Sequence, residues 1–277
     1  MKGIATLALI RDTFREAMAR KIFWGLFGLS TLMIVFFLFV MKIDIVAGAT
    51  ASISLFGFHG HNNTTDVQRL VRGVFGFVAT FLYTFGMFLA VFASSGLTPS
   101  VLEPGRIELL LSKPVSRWHL LLGRYAGNLL VVLCNTVYLV FGIWLILGWK
   151  TGIWSGPFLL AIPTTTFIFA VLLAVVVLIG VLWDSTALSI MITVALMILS
   201  PILAQKDTVM KLLSSEWSRR IWLALYYVLP KVHDLGRITL DAIMNRTFDG
   251  WMPVWTSALF GAAALGSALW VFSRRSF

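Results

Sequence analysis

The sequence predicts an all-α integral membrane protein with six transmembrane helices, and two observations carry that prediction. Of the 277 residues, 59% are hydrophobic and only 12% are charged, whereas a soluble domain carries about 25% charged residues. The apolar residues also form six runs of at least 20 residues without Asp, Glu, Lys, Arg or His. Such runs match the roughly 20 helical residues that cross a bilayer, and they lack the alternation of a membrane barrel. A soluble enzyme and a disordered chain are therefore excluded.

The charge balance also fits a membrane protein. The net charge is +10, from 22 Lys and Arg against 12 Asp and Glu. The basic residues flank apolar blocks, where they hold cytoplasmic loops in place and meet anionic lipid. We therefore expect membrane lipid, and no nucleic acid, as a partner. The single cysteine, Cys134, allows neither an intrachain disulfide nor a cysteine-based metal site.

The first element is the N-terminal segment 1–21, which has an apolar side and a charged side. Apolar residues recur at spacings of three and four and form the apolar side: Leu7, Ile10, Phe14 and Met18. The charged side consists of Arg11, Asp12, Arg15 and Glu16. This periodicity predicts an amphipathic helix in the cytoplasmic interface. A simple positive anchor before the first span accounts for the same residues.

The six predicted spans then follow within one membrane domain, 1–277. They cover residues 22–41, 73–97, 125–149, 157–183, 185–204 and 254–273. With both termini in the cytoplasm of a plasma (inner) membrane, the inner segments carry 11 Lys and Arg in 53 residues. The outer segments then carry 11 in 87 residues. The higher density of positive charge favours this orientation.

The outer segments are 42–72, 150–156 and 205–253, and two of them contain features of interest. In the first, His59, His61 and Asp66 offer metal ligands, but two histidines without a fixed scaffold are interpreted as incidental loop residues. The second, 205–253, contains nine apolar residues, 221–229, between two arginines and Pro230. Nine residues cannot cross a bilayer, so we expect a re-entrant or interfacial helix there.

The cytoplasmic connector between the second and third spans has an unusual pattern. Pro104-Gly105 opens it as a turn, residues 107–111 form a short apolar helical stretch, and Lys113-Pro114 ends that stretch. Bulky apolar residues between charges of both signs suit docking into a groove on a partner protein. The alternative is an ordinary connector, which does not need three successive leucines. The docking candidates are Glu103, Arg106, Ile107, Glu108, Leu109, Leu110, Leu111, Lys113, Pro114 and Arg117.

This connector resembles the cytoplasmic coupling helix of type-2, exporter-like ABC transporter permeases. In that family an acidic residue, a glycine and a leucine-rich turn precede SKPVSR and LLGR, as in residues 103–124 here. The stretch RDTFREAMARKIFW (11–24) is similar to the family's elbow helix. Two positions differ from the usual pattern: Arg106 replaces a threonine and Arg124 replaces a lysine.

The resemblance implies a non-catalytic subunit that pairs with a second permease chain above two ATP-binding cassette ATPase subunits. It implies that ATP and Mg bind the ATPase, that this chain holds no cofactor, and that residues 107–111 press into a groove on the ATPase. Asp184, in the turn between the fourth and fifth spans, would be a second cytoplasmic contact. The elbow helix would carry Leu7, Ile10, Arg11, Phe14, Arg15 and Met18.

Polar residues within the spans are candidates for lining a transport path, since such groups face the bundle interior. They are Thr80, Thr84, Asn128, Asn135, Ser189, Thr193 and Ser200. Hydrogen bonding between helices is the favoured explanation for them. Ala258, Ala262 and Gly266 form a small-residue stripe in the last span, which is typical of close helix packing.

The predicted function is that of the membrane subunit of an ATP-driven exporter of an amphipathic or lipid-like cargo. The chain has no Gly-rich phosphate loop, HExxH or GxSxG motif. Two alternatives remain: a membrane scaffold that anchors an ATPase without moving cargo, and a carrier that works alone. The absence of ionisable groups from the predicted spans weighs against the carrier.

Overall fold

The computed structural model of the protein describes residues 21–46, 50–55, 58–59, 65–95, 117–205, 209–211, 215–247 and 250–274. Within these ranges, five helices are long and apolar enough to cross a membrane, and a shorter apolar helix covers Trp24–Phe39. The predicted helical membrane architecture is thereby confirmed. Four short strands between the first two helices are an addition that the sequence pattern did not predict.

The helices have the following bounds. Helix α1 is Lys21–Val35 and continues as a π-helical turn, Phe36–Val40. Helix α2 is Val67–Phe81, a π-helical segment covers Leu82–Gly86, and α3 is Met87–Ser95. Helix α4 is Arg117–Thr151. A 3₁₀ turn, Gly156–Leu160, leads into α5, Ala161–Trp183, and α6 is Thr186–Ala204. Helices α7, α8 and α9 are Glu216–Val228, Val232–Ile243 and Met252–Arg274.

The strands form a small sheet in the segment between α1 and α2. They are β1 (Met41–Val46), β2 (Thr50–Leu55), β3 (Phe58–His59) and β4 (Thr65–Asp66). Strands β1 and β2 pair antiparallel, with Met41 opposite Leu55, and β2 also pairs with β3 and β4.

Helices α1 and α4 lie parallel to each other. Ser30 of α1 hydrogen-bonds Asn135 of α4 (3.2 Å). The next residue of α1, Thr31, lies 3.2 Å from the hydroxyl of Tyr138, which is about one turn after Asn135 on α4. At the C-terminal end of α1, the Lys150 ammonium donates to two carbonyl oxygens of the π-helical turn, at 2.9 and 2.6 Å. A cation at a helix C-terminus satisfies carbonyls that have no partner within the helix. This pairing fixes the direction of α1 relative to the bundle.

Helix α5 is the centre of the bundle. In its apolar window 72% of the residues are buried, against 22–44% for the other four long helices. Helix α9 packs along it so closely that a Cβ on Gly261 would lie 3.2 Å from a Val171 methyl. The buried stripe of α9 is Ser257, Gly261, Ala264, Ala268 and Phe272. The predicted packing stripe is therefore displaced, since Ala262 and Gly266 are exposed in this chain.

A rigid two-residue turn joins α5 to α6. Asp184 adopts the left-handed conformation (φ 50°) and its N–H donates to the Gly180 carbonyl at 3.1 Å. Ser185 then caps α6, because its hydroxyl accepts from the Leu188 N–H at 3.3 Å. With both helix ends satisfied inside the turn, α5 and α6 are held antiparallel.

The segment expected to contain a re-entrant or interfacial helix forms a helical hairpin. Residues 221–229 lie in α7 and the turn after it, and α8 follows three residues later. Tyr226 is the buried residue of α7. Helix α8 is more deeply packed, and its Leu235 and Ile243 join the two hydrophobic clusters of the bundle.

Candidate functional site

The chain connections divide the bundle into two ends. Because α1 and α4 are parallel and α4, α5 and α6 alternate in direction, one end carries the N-terminus of α1, the C-terminus of α3, the N-terminus of α4 and the α5–α6 turn. Helix α9 packs parallel to α5 and ends there as well. We call this the near end, and the opposite end, which carries the α7–α8 hairpin, the far end.

The two sequence elements expected to contact a partner lie largely outside the described residues. The N-terminal segment, with Leu7, Ile10, Arg11, Phe14, Arg15 and Met18, precedes them. The docking candidates Glu103, Arg106, Ile107, Glu108, Leu109, Leu110, Leu111, Lys113 and Pro114 fall between α3 and α4, and Arg117 is the residue at which α4 begins. The described helix ends on either side of these residues, the C-terminus of α3 and the N-terminus of α4, both lie at the near end.

The near end also carries exposed groups on the described helices. Asp184 and its neighbour Trp183 are both exposed in the α5–α6 turn, Trp183 by 57%. Trp118 stacks on His119 (3.7 Å between ring centroids) at the start of α4. The Arg274 guanidinium lies over the Trp270 ring at 4.4 Å. Aromatic and cationic side chains at a helix end are typical of a membrane–water interface.

The candidate path residues do not converge on one surface. Thr80 and Thr84 are exposed on the second span. Ser189 and Thr193 are fully buried within the chain, and each hydroxyl donates to the carbonyl four residues earlier (2.9 and 2.7 Å). Ser189 and Thr193 therefore contribute to packing inside the protomer.

The two asparagines of α4 lie in different surroundings. Asn128 is buried. Asn135 hydrogen-bonds Ser30 and lines a cavity of about 30 Å³ between α1, α3, α4 and α5. Of the predicted path residues, Asn135 is thus the one that borders internal space.

At the far end, the tip of the α7–α8 hairpin is fixed by serines from two neighbouring helices. The backbone N–H of Lys231 donates to the Ser257 hydroxyl (3.0 Å), and the N–H of His233 donates to the Ser200 hydroxyl (2.9 Å). The first N–H groups of a helix have no partner within it, and α8 has no side-chain cap of its own. Serines of α6 and α9 therefore cap α8 from outside.

The side chain of Lys231 strengthens this anchor. It is 3% exposed, donates to the Thr256 hydroxyl at 3.0 Å, and lies 4.6 Å from the centre of the Tyr226 ring. The Tyr226 hydroxyl in turn donates to the Asp234 carboxylate at 2.9 Å. The burial of Lys231 is not evident from the sequence, because a basic residue beside a proline in a long loop is usually solvated.

At the same tip, the pKa of His233 is displaced. Burial lowers the pKa of His233 below its ordinary value of 6.5, Asp234 opposes that shift, and Arg237 adds to it. Among the described residues no cluster of three or more His, Cys, Asp or Glu could hold a metal ion. His59 lies on β3, while His61 is outside the described residues.

Comparison with known proteins assigns the family. The family model for "ABC-2 family transporter protein" matches residues 7–277, which is nearly the whole chain. No curated protein sequence matches the chain. A member of this family is a multi-pass, non-catalytic membrane permease that pairs with ATPase subunits, and the resemblance found in the sequence is confirmed. With its several apolar membrane helices, the chain belongs to the ABC-2 family of transporter membrane proteins.

Proposed function

We propose that the chain is the membrane subunit of an ATP-driven exporter and that ATPase subunits dock at its near end. The observation that carries the proposal is the family match over residues 7–277, and the location of the C-terminus of α3 and the N-terminus of α4 at one end of the bundle supports it. ATP and Mg bind the ATPase, and this chain contributes the path and the docking surface. A second permease chain, identical or related, completes the membrane part.

The near end faces the cytoplasm in this proposal. Its segments carry 11 Lys and Arg in 53 residues, against 11 in 87 residues for the segments of the far end. Short loops rich in positive charge stay on the cytoplasmic side. Both termini are then cytoplasmic, and the strands and the α7–α8 hairpin lie outside.

Coupling runs through the connector 103–117. Both helices that it joins pack on α5: Val91 of α3 and Leu120 and Leu121 of α4 share one buried cluster with Val177 of α5. A displacement of the connector is therefore transmitted to α5 through closely packed apolar contacts of low compressibility. Asp184, in the α5–α6 turn at the same near end, serves as a second contact. ATP-driven closure of the ATPase then biases the bundle between two states.

An amphipathic or lipid-like cargo fits the exposed face of the second span. Phe77, Phe81 and Phe85 form a ladder of stacked rings, with centroids 6.4 and 5.2 Å apart. The exposed hydroxyl-bearing residues Thr80 and Thr84 alternate with these rings along the helix. A face that offers both apolar rings and hydroxyls can bind a molecule with a chain and a polar head.

Purification of the full chain in mild detergent tests the proposal. We expect an ATP-binding cassette subunit, identified by mass spectrometry, and ATP hydrolysis to accompany the wild-type chain. A variant with Leu109→Asp, Leu110→Asp and Leu111→Asp should lose both, because charged residues cannot enter an apolar groove. A matched control carries Trp217→Asp and Trp251→Asp, two far-end residues that are 72% and 65% exposed, and should keep both.

Each result has a distinct meaning. If wild type and both variants capture the ATPase equally, the docking residues are wrong. If folded wild-type protein captures none, the proposed ATP-driven function is wrong. Stimulation of ATP hydrolysis by an amphipathic compound in proteoliposomes distinguishes an exporter from a scaffold, since a scaffold has no differential affinity for cargo.

A further inference from the structure

A cavity of about 30 Å³ lies inside the protomer, halfway along four helices. Ser30 lies near the middle of α1, Gly86 near the middle of the second span, Thr136 near the middle of α4 and Thr165 in the first half of α5. Most of the other lining residues are apolar. If these helices cross the bilayer, the cavity is near the membrane midplane, far from either aqueous side.

The polar residues at this cavity are unusually deeply buried. Ser30, Thr136 and Thr165 are 4%, 2% and 5% exposed. Ser30 and Asn135 hydrogen-bond each other. Among the described residues, the structure gives the hydroxyls of Thr136 and Thr165 no hydrogen-bond partner.

The missing partners are notable because the hydroxyls of other threonines in these helices hydrogen-bond to the backbone of their own helix. Thr164 and Thr166, the neighbours of Thr165 on α5, each donate to the carbonyl four residues earlier at 2.8 Å. Thr151 does the same on α4 at 2.6 Å. The two threonines at the cavity thus forgo the usual bond to their own helix. A hydroxyl left unsatisfied in an apolar medium is unfavourable, so a partner inside the cavity is favoured.

The wall of the cavity on the second span is the π-helical segment. Leu82, Gly86 and Met87 line the cavity, and the Met87 N–H is shared between the carbonyls of Leu82 and Thr84. A π-helical segment interrupts the regular ladder of backbone bonds, and inserted water is one known companion of such interruptions. Backbone and side chains therefore present polar atoms to the same small space.

We propose that water occupies this cavity and that Thr136 and Thr165, with the Ser30–Asn135 pair, hold it. A water molecule needs about 10–15 Å³ on this measure, so the cavity accommodates about two, and two to four polar partners are required. The four polar side chains meet that requirement. The space between α1, α3, α4 and α5 is then a hydrated joint between helices.

X-ray radiolytic labelling in H₂¹⁸O tests this site, because hydroxyl radicals formed from a bound water oxidise the side chains beside it. The full chain in lipid nanodiscs is exposed, and ¹⁸O incorporation at each methionine is measured by mass spectrometry. Met87 borders the cavity and is 1% exposed. Met197, which is partly buried and is not among the residues that line the cavity, is the internal reference. We expect Met87 to be labelled several-fold faster than Met197.

Variants distinguish the ligands of the water from the space itself. Thr136→Val and Thr165→Val, singly and together, keep the shape of the side chain and should cause a several-fold loss of labelling at Met87. Thr166→Val, one residue along α5, should leave it unchanged. Labelling of Met87 no faster than that of Met197 in the wild type would overturn the proposal. Fast labelling that survives both valine substitutions would overturn the assignment of the two threonines.

Discussion

Removal of the hydroxyl of Ser257 should loosen the tip of the α7–α8 hairpin. Ser257 is fully buried and its oxygen is the acceptor for the Lys231 N–H at 3.0 Å. Ser257→Ala leaves that N–H without a partner in a site closed to solvent. The cost of such a buried donor is about 1–3 kcal/mol, and helix caps fall in a similar range. We therefore expect the opening free energy of the tip to fall by about 2 kcal/mol.

Hydrogen exchange of the peptide that covers residues 230–236 measures this change directly. A loss of 1–2 kcal/mol corresponds to a factor of about 5–30 in the opening equilibrium, so exchange at Lys231 and His233 should accelerate by that factor. Ser200→Ala removes the second cap and should act similarly. The double variant should accelerate exchange less than the product of the single effects, because both serines hold one turn and opening by either route admits water.

Ser189→Ala is the matched control on the same helix as Ser200. Its hydroxyl is also fully buried, but it donates to a carbonyl that already accepts from the Ser189 N–H. Its removal orphans no backbone group, so exchange at the hairpin tip should stay at the wild-type rate. Equal acceleration by all three single variants would refute the capping argument, since it would reflect general loosening of the bundle. No acceleration in Ser257→Ala would refute it as well.

Three further predictions concern stability in detergent or lipid. Lys150→Met removes the cation that binds two carbonyls at the end of α1 and should lower thermal stability by about 1 kcal/mol, whereas Lys150→Arg should retain most of it. Gly261→Leu should destabilise the folded protein by about 1–3 kcal/mol, because a Cβ at this position would already lie 3.2 Å from Val171. Gly266→Leu should not, because a Cβ there would meet no atom within 4 Å. Thermal unfolding followed by tryptophan fluorescence compares the two variants. Because burial lowers the pKa of His233, folding favours its neutral form, so its contribution to stability is present above pH 6.5 and is lost as the pH falls through the lowered pKa. A His233→Asn variant should therefore show a flatter decline of unfolding temperature between pH 7.5 and 5 than the wild type.

The helices were predictable from sequence because lipid imposes a simple rule on their composition. Uninterrupted apolar runs predicted helical spans in the regions where α4, α5, α6 and α9 lie, and family motifs in residues 103–124 led to the transporter class. The runs do not encode which side of a helix packs against its neighbours. Helix α9 is apolar on every side, so the stripe at Ala262 and Gly266 looked as suitable for packing as the stripe one residue earlier, at Gly261, which packs on α5.

The candidate functional residues could be predicted only where their role depends on neighbours close in sequence. Ser200 stood out as a polar residue in a span, but its role depends on a backbone N–H some thirty residues later in the chain. Lys231 is buried because three helices surround it, and no pattern within its own segment signals that. The π-helical segment Leu82–Gly86 likewise has an unremarkable composition. Its buried residue Leu82 packs against Leu139 of α4 in one hydrophobic cluster, a contact that its own sequence does not signal.

The central position of α5 has a consequence for the order in which the protein is made. Helix α5 ends at Trp183 and its main neighbour α9 begins at Met252, so 68 residues separate them. At about 5–20 residues per second, the ribosome leaves the core helix without its final partner for several seconds. The surface of α5 is apolar apart from Thr164, Thr165 and Thr166, so most of the helix can remain in contact with lipid until α9 arrives. Substitutions that make α5 more polar should therefore act first on biogenesis, as lost yield, before they act on the finished transporter.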